Sequence, residues 1–141
     1  MTKTEMALKR PFPVSKIKWR PGGGGKDLCY IDARDVMDRL DQVFGLDGWQ
    51  TNYEFIGNRM ICNLSVRFIT SGWVIKSDGS DDTNIEGEKG GISGALKRSA
   101  VLLGIGRYLY NSNAFNSNRE PASWATPEGF DELMEKRDDS A

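Results

Sequence analysis

The clearest pattern in the chain is an alternation of apolar and polar side chains over residues 60–68. Apolar residues hold every second position there, and only Ile61 interrupts the polar positions between them. This period of two predicts a β-strand with one buried face. Residues 49–55 alternate in the same way, and Gly57-Asn58 between the two runs is typical of a two-residue hairpin turn.

A third strand is predicted directly after these two. Ser71-Gly72 favours a second turn, and residues 73–76 begin another largely apolar run. Three strands joined by short turns predict an antiparallel meander with one apolar face and one polar face.

Helical spacing begins before this meander. After a short apolar strand at residues 28–31, Asp32 is a suitable N-cap, and apolar residues then recur every three or four positions as far as Phe44. Gly45 and Gly48 follow and favour the end of this helix.

The longest predicted helix lies after the meander and covers about residues 84–110. Six glycines in it cost roughly 1 kcal/mol each relative to alanine, so we expect compensation from close packing against another backbone. Residues 127–137 predict a short final helix capped by Thr126. Residues 1–26 contain three prolines and a glycine run, which predict a mostly irregular segment.

The order of helix, three-stranded meander and long helix predicts an α+β fold. In this ββ-β-α core, the long helix packs across one face of the sheet. A single helix over three strands leaves the sheet edges open, and open edges favour lateral assembly.

Charge is distributed unevenly along the chain, although the net charge is −1. Residues 1–26 carry seven basic side chains and one acidic side chain, whereas the segment from residue 127 carries six acidic and two basic ones. We therefore predict a basic N-terminal arm at 1–26, a core domain at 27–126 and an acidic tail at 127–141. The basic arm suggests an anionic partner. The alternative is that both ends are simply solvated.

Composition excludes several kinds of site. The chain has no histidine, which excludes serine–histidine and cysteine–histidine catalysis. Cys29 and Cys62 are far apart and have no CxxC partner, so we expect free thiols and no metal site. No apolar run approaches the roughly 18–20 residues of a membrane span, and the N-terminus does not resemble a signal peptide. We expect no cofactor, no membrane association and a cytoplasmic location.

Two other motifs match known sites only partly. The segment Gly22–Lys26 suggests a phosphate loop, but Asp27 and a predicted strand follow where such a loop needs serine or threonine and a helix. Residues 78–84 alternate oxygen-bearing side chains as a calcium loop does, but the sixth position is Thr83 and the twelfth is Lys89. The acidic residues at 78–88 leave a metal-dependent nuclease open as an alternative.

Lys97 and Arg98 are adjacent cations in a helix of otherwise small and apolar residues. Burying an unpaired cation is costly, so these side chains should point into a groove or towards an anion. Arg107 lies in the same predicted segment. The alternative is an ordinary solvated helix face.

Several motifs, collinear from about residue 20 to residue 110, now carry a family resemblance. They are Cys29-Tyr30-Ile31 before a helix, Phe44-Gly45-Leu46-Asp47-Gly48-Trp49, Lys89-Gly90-Gly91-Ile92-Ser93, Gly94-Ala95-Leu96-Lys97-Arg98, and Gly104-Ile105-Gly106-Arg107-Tyr108-Leu109-Tyr110. In this order they resemble the Rad fifty-two family of single-strand annealing proteins, especially its short phage and prophage members.

The resemblance implies a ββ-β-α core that assembles into an oligomeric ring or helical filament. It also implies a basic groove that holds single-stranded DNA by its phosphates and leaves the bases free for pairing. The chain departs from many eukaryotic members at Val101, where they have a further arginine, and it lacks a clear second, outer DNA site. Arg107 is a candidate replacement for that arginine.

The resemblance implies DNA-binding roles for Arg20, Tyr30, Lys97 and Arg98, with secondary roles for Lys16, Lys18, Lys26 and Arg107. The predicted function is non-enzymatic annealing of complementary strands in homologous recombination and DNA repair. The alternative is a passive single-stranded DNA-binding protein that protects ends. An exonuclease or a single-strand binding protein is a possible further partner.

Overall fold

A computed structural model of the chain describes residues 1–80 and 87–140. It forms two compact units, one from Met1–Asp32 with Gly106–Ala141 and one from Ala33–Ile105. The helices and strands, in chain order, are α1 (Lys3–Lys9), β1 (Lys18–Pro21), β2 (Asp27–Tyr30), α2 (Ala33–Phe44), β3 (Trp49–Ile56), β4 (Arg59–Phe68), β5 (Gly72–Gly79), α3 (Gly87–Val101) and α4 (Pro127–Ser140).

The unit formed by Ala33–Ile105 contains the predicted meander. Its sheet has the strand order β3-β4-β5, and both pairings are antiparallel. Ile56 pairs with Arg59, so Gly57-Asn58 is the two-residue turn that the sequence predicts. The second turn differs from the prediction, because Phe68 pairs with Gly72 across a three-residue loop at 69–71. The third strand accordingly begins at Gly72 and extends to Gly79.

The core of this unit lies between the sheet and α3. The β4 side chains of Cys62, Leu64 and Val66 are fully buried, and they occupy alternate positions as the sequence pattern requires. Ala95 and Ala100 on α3 are also fully buried. Such small side chains allow a helix to approach a sheet closely, and α3 packs on β4 and β5.

The link between α2 and β3 explains the Phe44–Trp49 motif. Helix α2 ends at Phe44, and Gly45 follows with a φ of 84°, the left-handed conformation that commonly ends helices at glycine. A Cβ atom at Gly48 would clash with the Phe44 carbonyl group. The Trp49 indole N–H donates a hydrogen bond of 2.8 Å to Asp41, which ties the new strand back to the helix.

The prediction of a helix over residues 84–110 is too long. Helix α3 ends at Val101, and a separate 3-10 helix covers Arg107–Tyr110. Gly104 and Gly106 between them have φ angles of 104° and 72°, which no right-handed helix accommodates. Two of the six glycines therefore turn the chain and do not weaken the helix.

The prediction that residues 1–26 are mostly irregular is also wrong. Helix α1 places Leu8 in the core at 2% exposure, and Phe12 and Ile17 are buried after it. Strand β1 pairs with β2 in an antiparallel hairpin, and the glycine run forms its turn. The prolines exclude a long helix, but they leave room for a seven-residue helix and an edge strand.

The N-terminal segment and α4 belong to the same unit. The Arg10 guanidinium donates to both carboxylate oxygens of Asp131 at 2.9–3.3 Å, and this hydrogen bond raises the pKa of Arg10. Thr126 caps α4 as predicted, because its hydroxyl accepts a hydrogen bond from the Gly129 amide. None of the helices within the described ranges has the length and hydropathy that a membrane crossing requires.

We predict that Leu8→Ala lowers the free energy of unfolding by about 2–5 kcal/mol, because it leaves a cavity in a packed core. Val14→Ala is the matched control, since Val14 is 46% exposed nearby in the chain, and its effect should stay within about 0.5 kcal/mol. Urea unfolding of both variants measures the difference. Equal, small losses would mean that the N-terminal segment is not part of the core.

Candidate nucleic-acid interface

The β1–β2 hairpin carries three of the predicted DNA-binding residues on one face. Lys18 lies opposite Tyr30 in the strand pairing, and Arg20 lies opposite Leu28. Residues directly opposite each other in an antiparallel pair project to the same side. The Arg20 guanidinium carbon lies 5.6 Å from the centroid of the Tyr30 ring, which is a cation–π distance. We call this face, formed by Lys18, Arg20, Leu28 and Tyr30, the hairpin face.

The opposite side of the hairpin is anchored within the same unit. The Trp19 ring meets the Phe115 ring edge-on at 5.2 Å, and the Arg119 guanidinium carbon lies 5.2 Å from the Trp19 ring centroid. Arg119 also forms a 2.5 Å ion pair with Asp27. The Cys29 thiol donates to the Leu109 carbonyl oxygen, and burial raises the pKa of this thiol. These contacts orient the hairpin, so the hairpin face is left towards solvent.

The remaining candidates of this unit lie around the hairpin. Lys16 ends a 3-10 helix just before β1, and Lys26 lies in the hairpin turn; both side chains are exposed. Arg107 is exposed at the start of the 3-10 helix Arg107–Tyr110. Lys18 is already engaged, because its ammonium group lies 2.5 Å from a carboxylate oxygen of Asp32.

Lys97 and Arg98 lie on α3 in the other unit, and both are half-buried. The Nε atom of Arg98 lies 3.7 Å from a carboxylate oxygen of Asp78 at the end of β5. This Nε atom is itself buried, but the side chains of Arg98 and Asp78 remain 38% and 34% exposed, so other parts of both are accessible to solvent. The sequence therefore predicts correctly that a cation in this helix points towards an anion.

The adjacent residue, Ser99, connects the helix to the sheet. Its fully buried hydroxyl donates a hydrogen bond of 2.8 Å to the Cys62 carbonyl oxygen and accepts one of 3.0 Å from the Asp78 amide. Cys62 and Asp78 are paired residues of β4 and β5. One side chain thus satisfies a buried donor and a buried acceptor on two strands, and it sets the position of the two basic residues that precede it.

Two titratable groups lie in the layer beneath α3. Tyr53 and Cys62 are paired across β3 and β4. Burial raises the pKa of Tyr53 to about 12, and the neighbouring Cys62 thiol adds to this effect. Burial also raises the pKa of the Cys62 thiol, while hydrogen bonds with Ser99 and Tyr53 act in the opposite direction. Both groups are therefore neutral near pH 7.

The two groups of candidates have the chemistry of phosphate binding. Lysine and arginine side chains hold phosphates through charge and hydrogen bonds, and an aromatic ring can stack on a sugar or base. Within the described residues, no three histidine, cysteine, aspartate or glutamate side chains are close enough to hold a metal ion together. Most of the acidic residues considered for a calcium loop or a nuclease lie outside the described side chains.

Comparison with known proteins adds independent information. A family model described as Rad52/22 family double-strand break repair protein matches residues 1–123. The chain belongs to the Rad52/22 family. The resemblance seen in the sequence motifs is thereby confirmed, and the α+β architecture with a three-stranded antiparallel sheet is consistent with this family.

Two curated relatives are similar over most of the chain. The single-stranded DNA-binding protein DdrA of Deinococcus deserti is 34% identical over an alignment of 146 positions. The alignment spans 91% of this chain and 72% of that protein. The protein of the same name from Deinococcus radiodurans is 30% identical over an alignment of 118 positions. This alignment spans 79% of this chain and 56% of that protein.

The structure adds residues that the sequence motifs did not identify as part of the site. Asp32 and Asp78 pair with two of the predicted cations, although Asp32 suggested only a helix cap and Asp78 only a calcium or nuclease loop. Arg119 has a φ of 61° and contacts both Trp19 and Asp27. Nothing in the sequence around Arg119 indicates this role.

We predict that Ser99→Ala lowers the free energy of unfolding by about 1–3 kcal/mol, because it leaves the Asp78 amide and the Cys62 carbonyl without this partner. Ser71→Ala in the exposed loop at 69–71 is the matched control and should change stability little. Denaturant unfolding with an unchanged m-value measures both. A loss no larger than that of the control would show that the Ser99 hydroxyl does not link helix and sheet.

We also predict a specific loss of stability in alkali. Between about pH 10, the ordinary pKa of tyrosine, and pH 12, the unfolded chain releases the Tyr53 proton while the folded chain retains it. The unfolded state then binds fewer protons, so the free energy of unfolding falls as the pH rises. Tyr53→Phe should reduce this slope. Identical slopes for the unmodified protein and this variant would contradict the assignment.

Proposed function

We propose that this chain binds single-stranded DNA and anneals complementary strands in recombinational repair, without a catalytic step. The observation that carries the proposal is the hairpin face, where a lysine and an arginine stacked on a tyrosine are presented to solvent. It occurs in a Rad52/22 family chain whose two relatives are named as single-stranded DNA-binding proteins.

The proposed mechanism depends on gripping phosphates and leaving base edges free. Contacts to phosphate carry no sequence information, so any strand can be held. Bases that are held only through their backbone can then test a second strand for complementarity. Binding releases counterions from the DNA, so the affinity should fall steeply as salt is raised.

The predicted site residues have different roles in this mechanism. Lys97 and Arg98 supply the main phosphate grip from α3, on a helix that Ser99 holds to the sheet. Arg20 and Tyr30 supply a second contact, in which the guanidinium lies over the tyrosine ring. Lys16, Lys18, Lys26 and Arg107 add charge around these residues.

We further propose that the chain works as a homo-oligomer, in a ring or a helical filament. A single chain with a net charge of −1 has no overall excess of positive charge with which to hold a long polyanion. Identical sites repeated along one strand add their weak contacts as avidity. The outer strands β3 and β5 each have one edge that is not paired within the described sheet, and such edges favour assembly between copies.

The second candidate function is passive protection of single strands. It is favoured by the names of the two relatives, which state binding to single-stranded DNA and do not mention annealing. Both candidates predict tight, salt-sensitive binding. Only the first predicts that pairing becomes faster than it is for the free oligonucleotides.

We predict that the protein accelerates annealing of two complementary oligonucleotides, followed by fluorescence, and that Lys97→Ala/Arg98→Ala abolishes the acceleration. The double variant should bind a single strand about tenfold or more weakly, because two charged contacts are lost. Its plot of log affinity against log salt should be shallower by about 1.4, since each lost contact accounts for about 0.7 on single strands.

Lys136→Ala/Arg137→Ala is the matched control, because it removes an adjacent basic pair from exposed positions of α4. It should retain annealing and most of the affinity. The oligomeric state of every variant is measured alongside. Tight binding by the unmodified protein without acceleration would exclude annealing and favour protection, whereas equal defects in both double variants would exclude a specific role for Lys97 and Arg98.

A further inference from the structure

Two of the candidate DNA-binding cations are held by aspartates of their own unit. The Lys18 ammonium group lies 2.5 Å from Asp32, and the Arg98 guanidinium lies 3.7 Å from Asp78. All four side chains are between 34% and 54% exposed, so a phosphate group can reach part of each cation. A phosphate that binds either cation meets a carboxylate that already offsets part of its charge.

We propose that Asp32 and Asp78 are affinity-tuning residues, which occupy Lys18 and Arg98 when DNA is absent and take them back when a phosphate leaves. This inference rests on the proposed binding of single-stranded DNA, and it adds a feature of the protein that limits the affinity for DNA. A protein that anneals strands must hold each strand and then release the duplex. An internal competitor at each cation keeps single contacts weak, while many sites together still hold the strand.

The local geometry separates this role from a purely structural one. The Asp78 carboxylate also accepts a 2.7 Å hydrogen bond from the Gly79 amide, which an asparagine oxygen can accept equally well. Asp32 directly precedes α2, where asparagine and aspartate are equally good caps. Substitution by asparagine therefore removes the competing charge at both positions while it preserves the side-chain shape, and at position 78 it also preserves the hydrogen bond from the Gly79 amide.

The test compares Asp32→Asn and Asp78→Asn with a matched control, Asp131→Asn. Asp131 is also an aspartate in an exposed ion pair, but its partner is Arg10, which is not a candidate DNA-binding residue. All three substitutions change the net charge by the same amount. Binding and dissociation of a fluorescent oligothymidine are measured for each at several salt concentrations.

We expect Asp32→Asn and Asp78→Asn each to bind about two- to fivefold more tightly, which is the range that exposed ion pairs contribute. The gain should lie in slower dissociation, and the salt dependence should steepen by up to about 0.7 for each substitution. Asp131→Asn should leave the dissociation rate unchanged, because a remote charge acts mainly on association.

A second comparison ties each effect to its cation. In an Arg98→Gln background, Asp78→Asn should no longer slow dissociation, and in a Lys18→Gln background Asp32→Asn should not do so. If Asp32→Asn and Asp78→Asn bind DNA but dissociate at the same rate as Asp131→Asn, the inference is overturned and the proposed function is left intact. No binding by the unmodified protein would overturn both.

Discussion

A buried hydroxyl group links α3 to two strands of the sheet. Ser99 bonds to the carbonyl of Cys62 and to the amide of Asp78, so one side chain of the helix is hydrogen-bonded to both β4 and β5. The fully buried alanines at positions 95 and 100 let the helix lie close enough for this hydrogen bonding. A larger residue at either alanine would lift the helix, and the hydroxyl could then no longer reach both strands. The orientation of Lys97 and Arg98 follows from this attachment.

Local patterns predicted the parts of the fold that depend on local chemistry. The alternation over residues 60–68 identified β4, Gly57-Asn58 identified its turn, and Thr126 identified the start of α4. These features depend on residues within a few positions of each other. The end of α3 at Val101 was missed because its apolar spacing continues past the helix, although Gly104 and Gly106 turn the chain.

The N-terminal segment shows where such reasoning fails. Leu8 is buried, and Arg10 bonds to Asp131, more than a hundred residues along the chain. Three prolines and a glycine run dominate the local pattern, and neither indicates a partner so distant in sequence. The burial of Leu8 is a consequence of tertiary packing. No periodicity in seven residues could have predicted it.

The sequence predicted the cations of the candidate site but not the carboxylates beside them, because local patterns do not reveal contacts between residues far apart in the chain. The cations could be named from charge and family motifs. The pairing of Lys18 with Tyr30 on one hairpin face could not, because residues 1–26 were predicted to be mostly irregular. The carboxylates that accompany the cations could not be named, because Asp32 and Asp78 have other local explanations. Their proximity to the cations appears only where distances between side chains are known.

The division into two units also has a consequence for synthesis. The unit Ala33–Ile105 is one uninterrupted stretch, whereas the other is assembled from Met1–Asp32 and Gly106–Ala141. On a ribosome, Met1–Asp32 is translated before Ala33–Ile105, and Trp19 and Arg10 remain without their partners until Phe115 and Asp131 have been translated. The contiguous unit can close first, as domains generally do during synthesis. The hairpin that carries Arg20 and Tyr30 is thus translated before the contiguous unit but is held in place only after it.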